Sequence, residues 1–228
     1  RFSLPLLRVQ HHWAHLCACQ ADNRFSGPAF GIVWDGTGLG TDGSIWGGEF
    51  LTGGFDGFVR MGSLRPVLLP GGDAAVREIG RIALSLLWDA GLSPENAPLP
   101  PAKRTALTAM LEKGIACPAA SSIGRLFDGV YSLLTGTPSV SYEGEGAVLL
   151  EAMLRPDVPG TPYPLAFYEE DGVRRFDFRP MLRALVRDRD AGLPLAAIAR
   201  SFHETLCDLA LAQYRALNPD RLPVALSG

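Results

Sequence analysis

Three of the four histidines in this 228-residue chain fall within five positions, in the segment Val9-Gln10-His11-His12-Trp13-Ala14-His15. On a helix, residues four apart project from one face about a turn apart. His11 and His15 can therefore offer two imidazole nitrogens to a single transition metal. His12 lies roughly 100° around the same helix and joins them less easily. Without a metal, the same spacing makes a polar helix face or a pair of hydrogen-bonded histidines. A second segment, Asp35-Gly36-Thr37-Gly38-Leu39-Gly40-Thr41-Asp42-Gly43, packs four glycines and two aspartates into nine residues. Its backbone N–H groups can turn toward a phosphate, Thr37 can add a hydroxyl, and Asp35 can hold a metal or its water. Apolar runs that read as strands flank it on both sides. That excludes the Walker loop and the dinucleotide fingerprint, both of which open a helix. The alternative is a long hairpin turn whose glycines serve positive φ.

Other candidates carry less. Asp73, Arg77 and Glu78 read as a helix cap with first-turn charges, and Arg125 with Asp128 as an i,i+3 ion pair. Tyr142-Glu143-Gly144-Glu145-Gly146 is a carboxylate-rich turn that binds a ribose or a cation, or simply starts a helix.

The elements that must position these residues follow from periodicity and turn chemistry. Residues 4–9 read as a first strand and 11–22 as a helix, with strands over 29–34, 44–51 and 55–64 making a meander. Gly47-Gly48 marks a bulge or a close backbone approach. After Pro70-Gly71-Gly72, Asp73 caps a helix whose Ala74, Ile79, Ile82, Ala83, Leu86 and Leu87 form one apolar stripe ending near Gly91. A Pro-rich loop precedes helices over 103–114, 122–134 and 145–154. Residues 165–170 and 173–178 form a hairpin about Asp171-Gly172, followed by helices over 180–188 and 195–217. Residues 222–228 read as a buried strand running into a glycine turn. The pattern predicts an α/β chain of two lobes, 1–91 with the histidine helix and the glycine-rich hairpin, and 92–228 as the more helical lobe. Both ends read as cut from a longer polypeptide.

Composition limits the function. Charged residues make up 20% and hydrophobic residues 47%, as in a folded enzyme rather than a disordered chain. A net charge of −3 with no basic stripe speaks against general nucleic-acid binding. No apolar run reaches the roughly 20 residues that span a bilayer. Cys17, Cys19, Cys117 and Cys207 form no C-x-x-C pair, so reduced, mostly buried thiols in a cytoplasmic protein are expected.

Taken in order, the segments resemble the hydrogenase-maturation carbamoyltransferase family HypF, in its C-terminal actin-like domain. The pieces are Val9 to His15, Asp35 to Gly40 with Trp46-Gly47-Gly48-Glu49-Phe50, Pro70-Gly71-Gly72-Asp73, Ser121 to Asp128, Ser141-Tyr142-Glu143-Gly144, and Ala225-Leu226-Ser227-Gly228. The domain is similar also to the tRNA threonylcarbamoyl transferases and the antibiotic O-carbamoyltransferases. The resemblance implies an actin-like ATPase fold, with mixed sheets flanked by helices and a second lobe incomplete at the C-terminus, where a second phosphate loop begins. It implies that carbamoyl phosphate and ATP yield a carbamoyl adenylate, whose carbamoyl group passes to the C-terminal cysteine of a HypE-type acceptor protein. His11, His15 and Asp35 match ligands of a divalent metal, iron or zinc. Gly36, Thr37 and Gly38 match the phosphate hairpin. Asp128 and Gly144 match nucleotide contacts, and Glu151 follows across a loop of different length. Upstream domains of the same polypeptide are implied as partners. No residue reads as a nucleophile, in keeping with an acceptor that brings its own thiolate. Ile79 and Trp13 depart from the family pattern without touching an implied ligand. Other functional readings are an O-carbamoyltransferase acting on a small-molecule hydroxyl, and a non-catalytic nucleotide- or metal-binding module.

Overall fold

A computed structural model describes residues 4–228. Helix α1 (His11–Asp22) leads into a meander of β1 (Ala29–Leu39), β2 (Ile45–Gly54) and β3 (Gly57–Leu64). The two-residue β4 (Val67–Leu68), short α2 (Ala74–Arg77) and α3 (Gly80–Asp89) follow. Next come α4 (Pro101–Lys113), β5 (Ala119–Ala120), α5 (Ile123–Thr135) and α6 (Glu145–Glu151). The hairpin of β6 (Phe167–Glu170) and β7 (Val173–Phe176) precedes α7 (Arg179–Asp190), α8 (Leu195–Leu217) and β8 (Val224–Ser227).

Among the described residues, all eight strands join one sheet. β1 and β2 pair antiparallel, as do β2 and β3. β8 lies parallel to β1 with Phe30 opposite Val224, and β7 lies parallel to β3 with Leu64 opposite Phe176. The period-2 alternation of β1 sorts its side chains onto two faces. Ala29 and Val33 join Leu16 of α1, Leu51 and Ala225 in a small cluster. Phe30 and Ile32 face a larger core built with Phe50 and the apolar sides of α3, α5, α7 and α8. One sheet face therefore carries the histidine helix and the other carries the bulk of the hydrophobic core.

Local sequence explains most element ends. Asp171 (φ 52°) and Gly172 (φ 74°) both take left-handed angles, the two-residue turn that matches strand twist. Gly114 (φ 63°) and Gly136 (φ 73°) terminate α4 and α5 in the same conformation. Ser122 accepts a hydrogen bond from the Arg125 N–H and so caps α5.

Three expectations need correction. Residues 4–9 form no strand, and Leu4, Leu6 and Leu7 are exposed; β2 and β8 already occupy both edges of β1. The helix expected from Asp73 to Gly91 is broken at Glu78 (ψ 72°), and Asp73 makes no side-chain cap. The loop at 138–140 inserts there. Val140 N–H donates to the Arg77 carbonyl and Gly80 N–H to the Pro138 carbonyl, each at 2.9 Å. The glycine-rich turn is also narrower than expected, because β1 continues to Leu39 and the reversal is confined to Gly40–Ser44, closed by the Gly40 N–H on the Ser44 carbonyl.

Helices α3 and α5 cross at Gly129, where any Cβ would run into the side chains of Leu86 and Ile82. Leu86 and Ile82 are themselves fully buried. Gly129→Val is expected to lower the unfolding free energy by about 1–3 kcal/mol through overpacking. Chemical denaturation measures this; an unchanged midpoint would show that the crossing has slack.

Candidate metal and nucleotide cleft

Gln10 starts α1, its side-chain oxygen accepting the Trp13 N–H at 2.8 Å. That bond orients the amide, so Gln10 Nε2 donates to His12 Nδ1 at 3.1 Å and the His12 proton resides on Nε2. His12, Leu16 and Gln20, each four apart, are the buried face. Burial pulls the His12 pKa down to about 4, with Asp35 opposing in part, so its ring is neutral near pH 7. His11 and His15 occupy the neighbouring, more open face.

Asp35 reaches them because β1 leaves register between Trp34 and Gly38, and such an irregularity re-aims a side chain. Asp35 Oδ2 lies 2.6 Å from His11 Nε2, 3.6 Å from His15 Nε2 and 3.9 Å from His12 Nε2. The Nε2 atoms of His11 and His15 are 3.2 Å apart. Asp35 Oδ1 accepts the Thr37 N–H at 2.8 Å, which holds the carboxylate in this orientation. The ligand atoms of His11, His15 and Asp35 all lie within 4.8 Å of one another. Around one ion with bonds of about 2.0–2.2 Å, ligand atoms stand roughly 3–3.5 Å apart. The donor set of two imidazoles and a carboxylate therefore fits a divalent metal in type and in spacing.

A cleft of about 470 Å³ extends from this cluster along Gly36 and Thr37 to Asp128 and Gly144. Spacing alone makes Arg125 half of an ordinary ion pair. In the structure its buried guanidinium spans two carboxylates, Asp128 at 2.9 Å and Glu143 at 2.5 Å. Burial pushes the Asp128 pKa up to about 6 despite Arg125, with Glu143 adding to the rise. Two residues expected at the site stand outside the cleft. Gly38 packs beneath the histidines, where a Cβ would come 2.7 Å from His11 Cδ2 and 2.6 Å from His12 Cε1. Glu151 is exposed at the end of α6.

The backbone at Asp35-Gly36 is held from behind by Ser122, to which the sequence alone assigns no role, and by the close passage of Gly124 and of Gly47, which the sequence marks as a bulge or close approach. Ser122 Oγ donates toward the carbonyls of Gly36 and Asp35, at 2.7 and 3.1 Å. A Cβ on Gly47 would meet the Asp35 carbonyl at 2.6 Å, and one on Gly124 would meet Gly36 Cα at 3.0 Å. Next to Ser122, the Ser121 hydroxyl donates to Glu49 Oε1 at 2.5 Å. The fully buried Glu49 also takes Arg60 Nε at 2.6 Å, and Arg60 stacks on Trp46 and reaches Asp42 at the hairpin tip. The available signal was a lone carboxylate inside the apolar stretch Trp46-Gly47-Gly48-Glu49-Phe50-Leu51, because a buried charge requires a partner.

Two outcomes follow from this geometry. Arg60→Met leaves Glu49 buried without its cation and is expected to cost about 3–5 kcal/mol of stability, while Arg60→Met with Glu49→Leu recovers much of it. Denaturation of the two variants checks the pair; equal losses would show that the cation is not what Glu49 needs. Asp128 holds its proton longer folded than unfolded, because its folded pKa lies above the ordinary 3.8. Its ionisation therefore weakens the fold as pH rises from about 4 to about 6, by roughly 1.4 kcal/mol for each pH unit crossed. Measured across that window, the stability of wild type relative to Asp128→Asn should fall; a flat difference would contradict the raised pKa.

Comparison with known proteins places this geometry. Residues 31–228 match the family model described as the second subdomain of the Kae1-like domain of carbamoyltransferases. The carbamoyltransferase HypF of Rhizobium leguminosarum bv. viciae is 40% identical over 208 residues, which cover 90% of this chain and 26% of the relative. HypF of Rhodobacter capsulatus is 45% identical over 169 residues, covering 70% of this chain and 23% of the relative. Among solved structures, full-length HypF in its phosphate- and nucleotide-bound form superposes with a TM-score of 0.86 at 27% identity, over 99% of this chain and 34% of that one. HypF of T. kodakarensis gives 0.78 at 29% identity, over 97% and 31%. The chain thus spans about a quarter to a third of the length of these relatives, and its α/β fold is the actin-like one that the motifs implied. The ordered motifs, the matched domain and the shared fold agree: this chain belongs to the HypF family of carbamoyltransferases.

Proposed function

We propose that the cleft is a carbamoyl-transfer site for nickel–iron hydrogenase maturation. In this reading, carbamoyl phosphate, water and ATP yield a carbamoyl adenylate with release of inorganic phosphate and pyrophosphate, and its carbamoyl group passes to the C-terminal cysteine thiolate of a HypE-type acceptor. The acceptor sulfur forms a bond to the carbamoyl carbon, the bond from that carbon to the adenylate phosphoryl oxygen breaks, and AMP leaves. The observation that carries the reading is the meeting of His11, His15 and Asp35 with Gly36, Thr37, Asp128 and Gly144 in one cleft of a HypF-family chain. That a solved HypF is described as phosphate- and nucleotide-bound supports the assignment of nucleotide to it.

His11, His15 and Asp35 would hold a divalent metal, iron or zinc, which supplies Lewis acidity toward an anionic or carbonyl oxygen. The Thr37 N–H orients the Asp35 carboxylate, and the neutral His12 keeps its buried Nε2–H 3.9 Å from Asp35 Oδ2, without a hydrogen-bond partner among the described residues. Gly36 and Thr37 line the phosphate side, and Asp128 with Gly144 receives the nucleoside end. Arg125 keeps Asp128 and Glu143 in place, and with both carboxylates bound its charge is compensated locally. Among the described residues no cysteine lines the cleft, and burial raises the Cys17 and Cys117 thiols above their ordinary values. Such thiols make poor nucleophiles, so the acceptor's own thiolate fits the role.

The test is carbamoylation of a HypE-type acceptor by the full-length protein, followed by mass spectrometry of the acceptor terminus. His11→Ala and His15→Ala are each expected to lower the rate more than about 100-fold, the upper end for losing even an outer hydrogen-bond partner of a metal ligand. Wild-type rates in both variants would remove the metal from the proposal.

A further inference from the structure

A second cavity, of about 300 Å³, adjoins the cleft and shares Gly36, Thr37, Arg125 and Glu143 with it. The two spaces meet at those shared residues. Ile45, Leu69 and Val76 supply the apolar lining of the second, and the exposed Asp73 and Arg77 its charged lining. The charges of this segment divide sharply. Glu78 and Arg81 are paired at 2.5 Å, and Glu78 also binds Lys103. Asp73 and Arg77, which line the cavity, make no side-chain hydrogen bond or ion pair among the described residues. The Arg77 carbonyl is engaged by Val140, so the backbone beneath that side chain is held while its guanidinium is free to bind.

The chemistry of the space selects its occupant. Arg125 is already met by Asp128 and Glu143. Among the described residues Arg77 is thus the one uncompensated cation on this cavity, and the Asp73 carboxylate lines the same cavity without pairing with it. A polyphosphate would add its charge to those of Asp73 and Glu143, which both line the cavity, and like charges repel. A group that offers an N–H and a single negative charge beside an apolar body matches all three features. The end of a polypeptide chain has that composition, and the volume suits one or two residues.

We propose that this second cavity seats the carbamoyl acceptor as a polypeptide chain end, with Arg77 binding its terminal carboxylate and Asp73 accepting a main-chain N–H. The inference rests on the carbamoyl-transfer reading and adds the direction of approach. The acceptor enters from the side of Asp73 and Arg77 and meets the carbamoyl group at Gly36 and Thr37, which line both spaces. Arg77 and Asp73 are binding residues in this scheme and take no part in the bond changes.

The experiment uses the full-length protein and a synthetic peptide of the last ten or so residues of a HypE-type acceptor, as the free acid and as the C-terminal amide. Isothermal titration measures binding of each, of a non-hydrolysable ATP analogue and of inorganic phosphate. Wild type should bind the acid at least tenfold more tightly than the amide. Arg77→Met should abolish that preference, Arg77→Lys should restore part of it, and Asp73→Asn should weaken both peptides. ATP-analogue affinity and thermal unfolding should stay unchanged in all three variants. The proposal is overturned if wild type binds neither peptide, if acid and amide bind alike, or if Arg77→Met keeps the preference. Loss of phosphate or nucleotide binding in Arg77→Met would instead make this a phosphate subsite and also overturn it. Binding requires no turnover. Tight, acid-selective binding without carbamoyl transfer would therefore defeat the functional reading and leave the cavity assignment standing.

Discussion

A single carboxylate buried on the sheet governs where the cleft stands. Glu49 has no access to solvent, and its oxygens are met by Arg60, the Ser121 hydroxyl and the N–H groups of Gly47 and Gly48. Breaking such a pair from one side is costly, so the partners are held to one arrangement. Ser121 is thereby tied to β2, and the next residue caps α5 while gripping the Asp35 and Gly36 carbonyls. The Asp35-Gly36 backbone and the N-terminal end of α5 are thus positioned by a charge network that lines no part of the cleft.

The glycines in this region serve that packing. Gly47 passes against the Asp35 carbonyl, Gly124 against Gly36, and Gly38 against the rings of His11 and His12. At all three positions the reason for glycine is contact between backbones or with an imidazole, where a methyl group would force the hairpin away from α1 or α5. A glycine-rich hairpin invites an anion-binding explanation for each glycine. Here several of them are what allows the strand, the histidine helix and α5 to close on one point.

Electrostatics then separates the ends of the cleft. At one end, nitrogen donors and Asp35 converge with partial access to solvent. At the other, Arg125 and Asp128 are nearly fully buried, and the acid of that pair is pushed up to about 6. Low local dielectric strengthens each contact there and makes the carboxyl sensitive to whatever settles beside it. The Arg125–Glu143 pair also lines the neighbouring cavity, so one guanidinium borders both spaces.

Local order was legible in the amino-acid sequence wherever neighbours along the chain decide it. Helices over His11–Asp22 and Leu195–Leu217 and the Asp171-Gly172 turn follow from periodicity and from turn chemistry, and the His11/His15 pair follows from helical spacing. The ordered motifs also identified the family. The conformation of residues 4–9 and the break at Glu78 were not legible, because strand formation needs a free edge and helix continuity needs carbonyls that no loop has claimed. Whether Asp35 turns toward the histidines, which cation neutralises Glu49, and what Arg125 holds depend on contacts across 24, 11 and 18 residues of chain, and Ser122 reaches Asp35 across 87. Residue types and spacing determined the inventory of candidate ligands. Only the tertiary structure decided which of them meet, because hydrogen bonds and buried charges are satisfied by whatever the packed sheet and helices bring within about 3 Å.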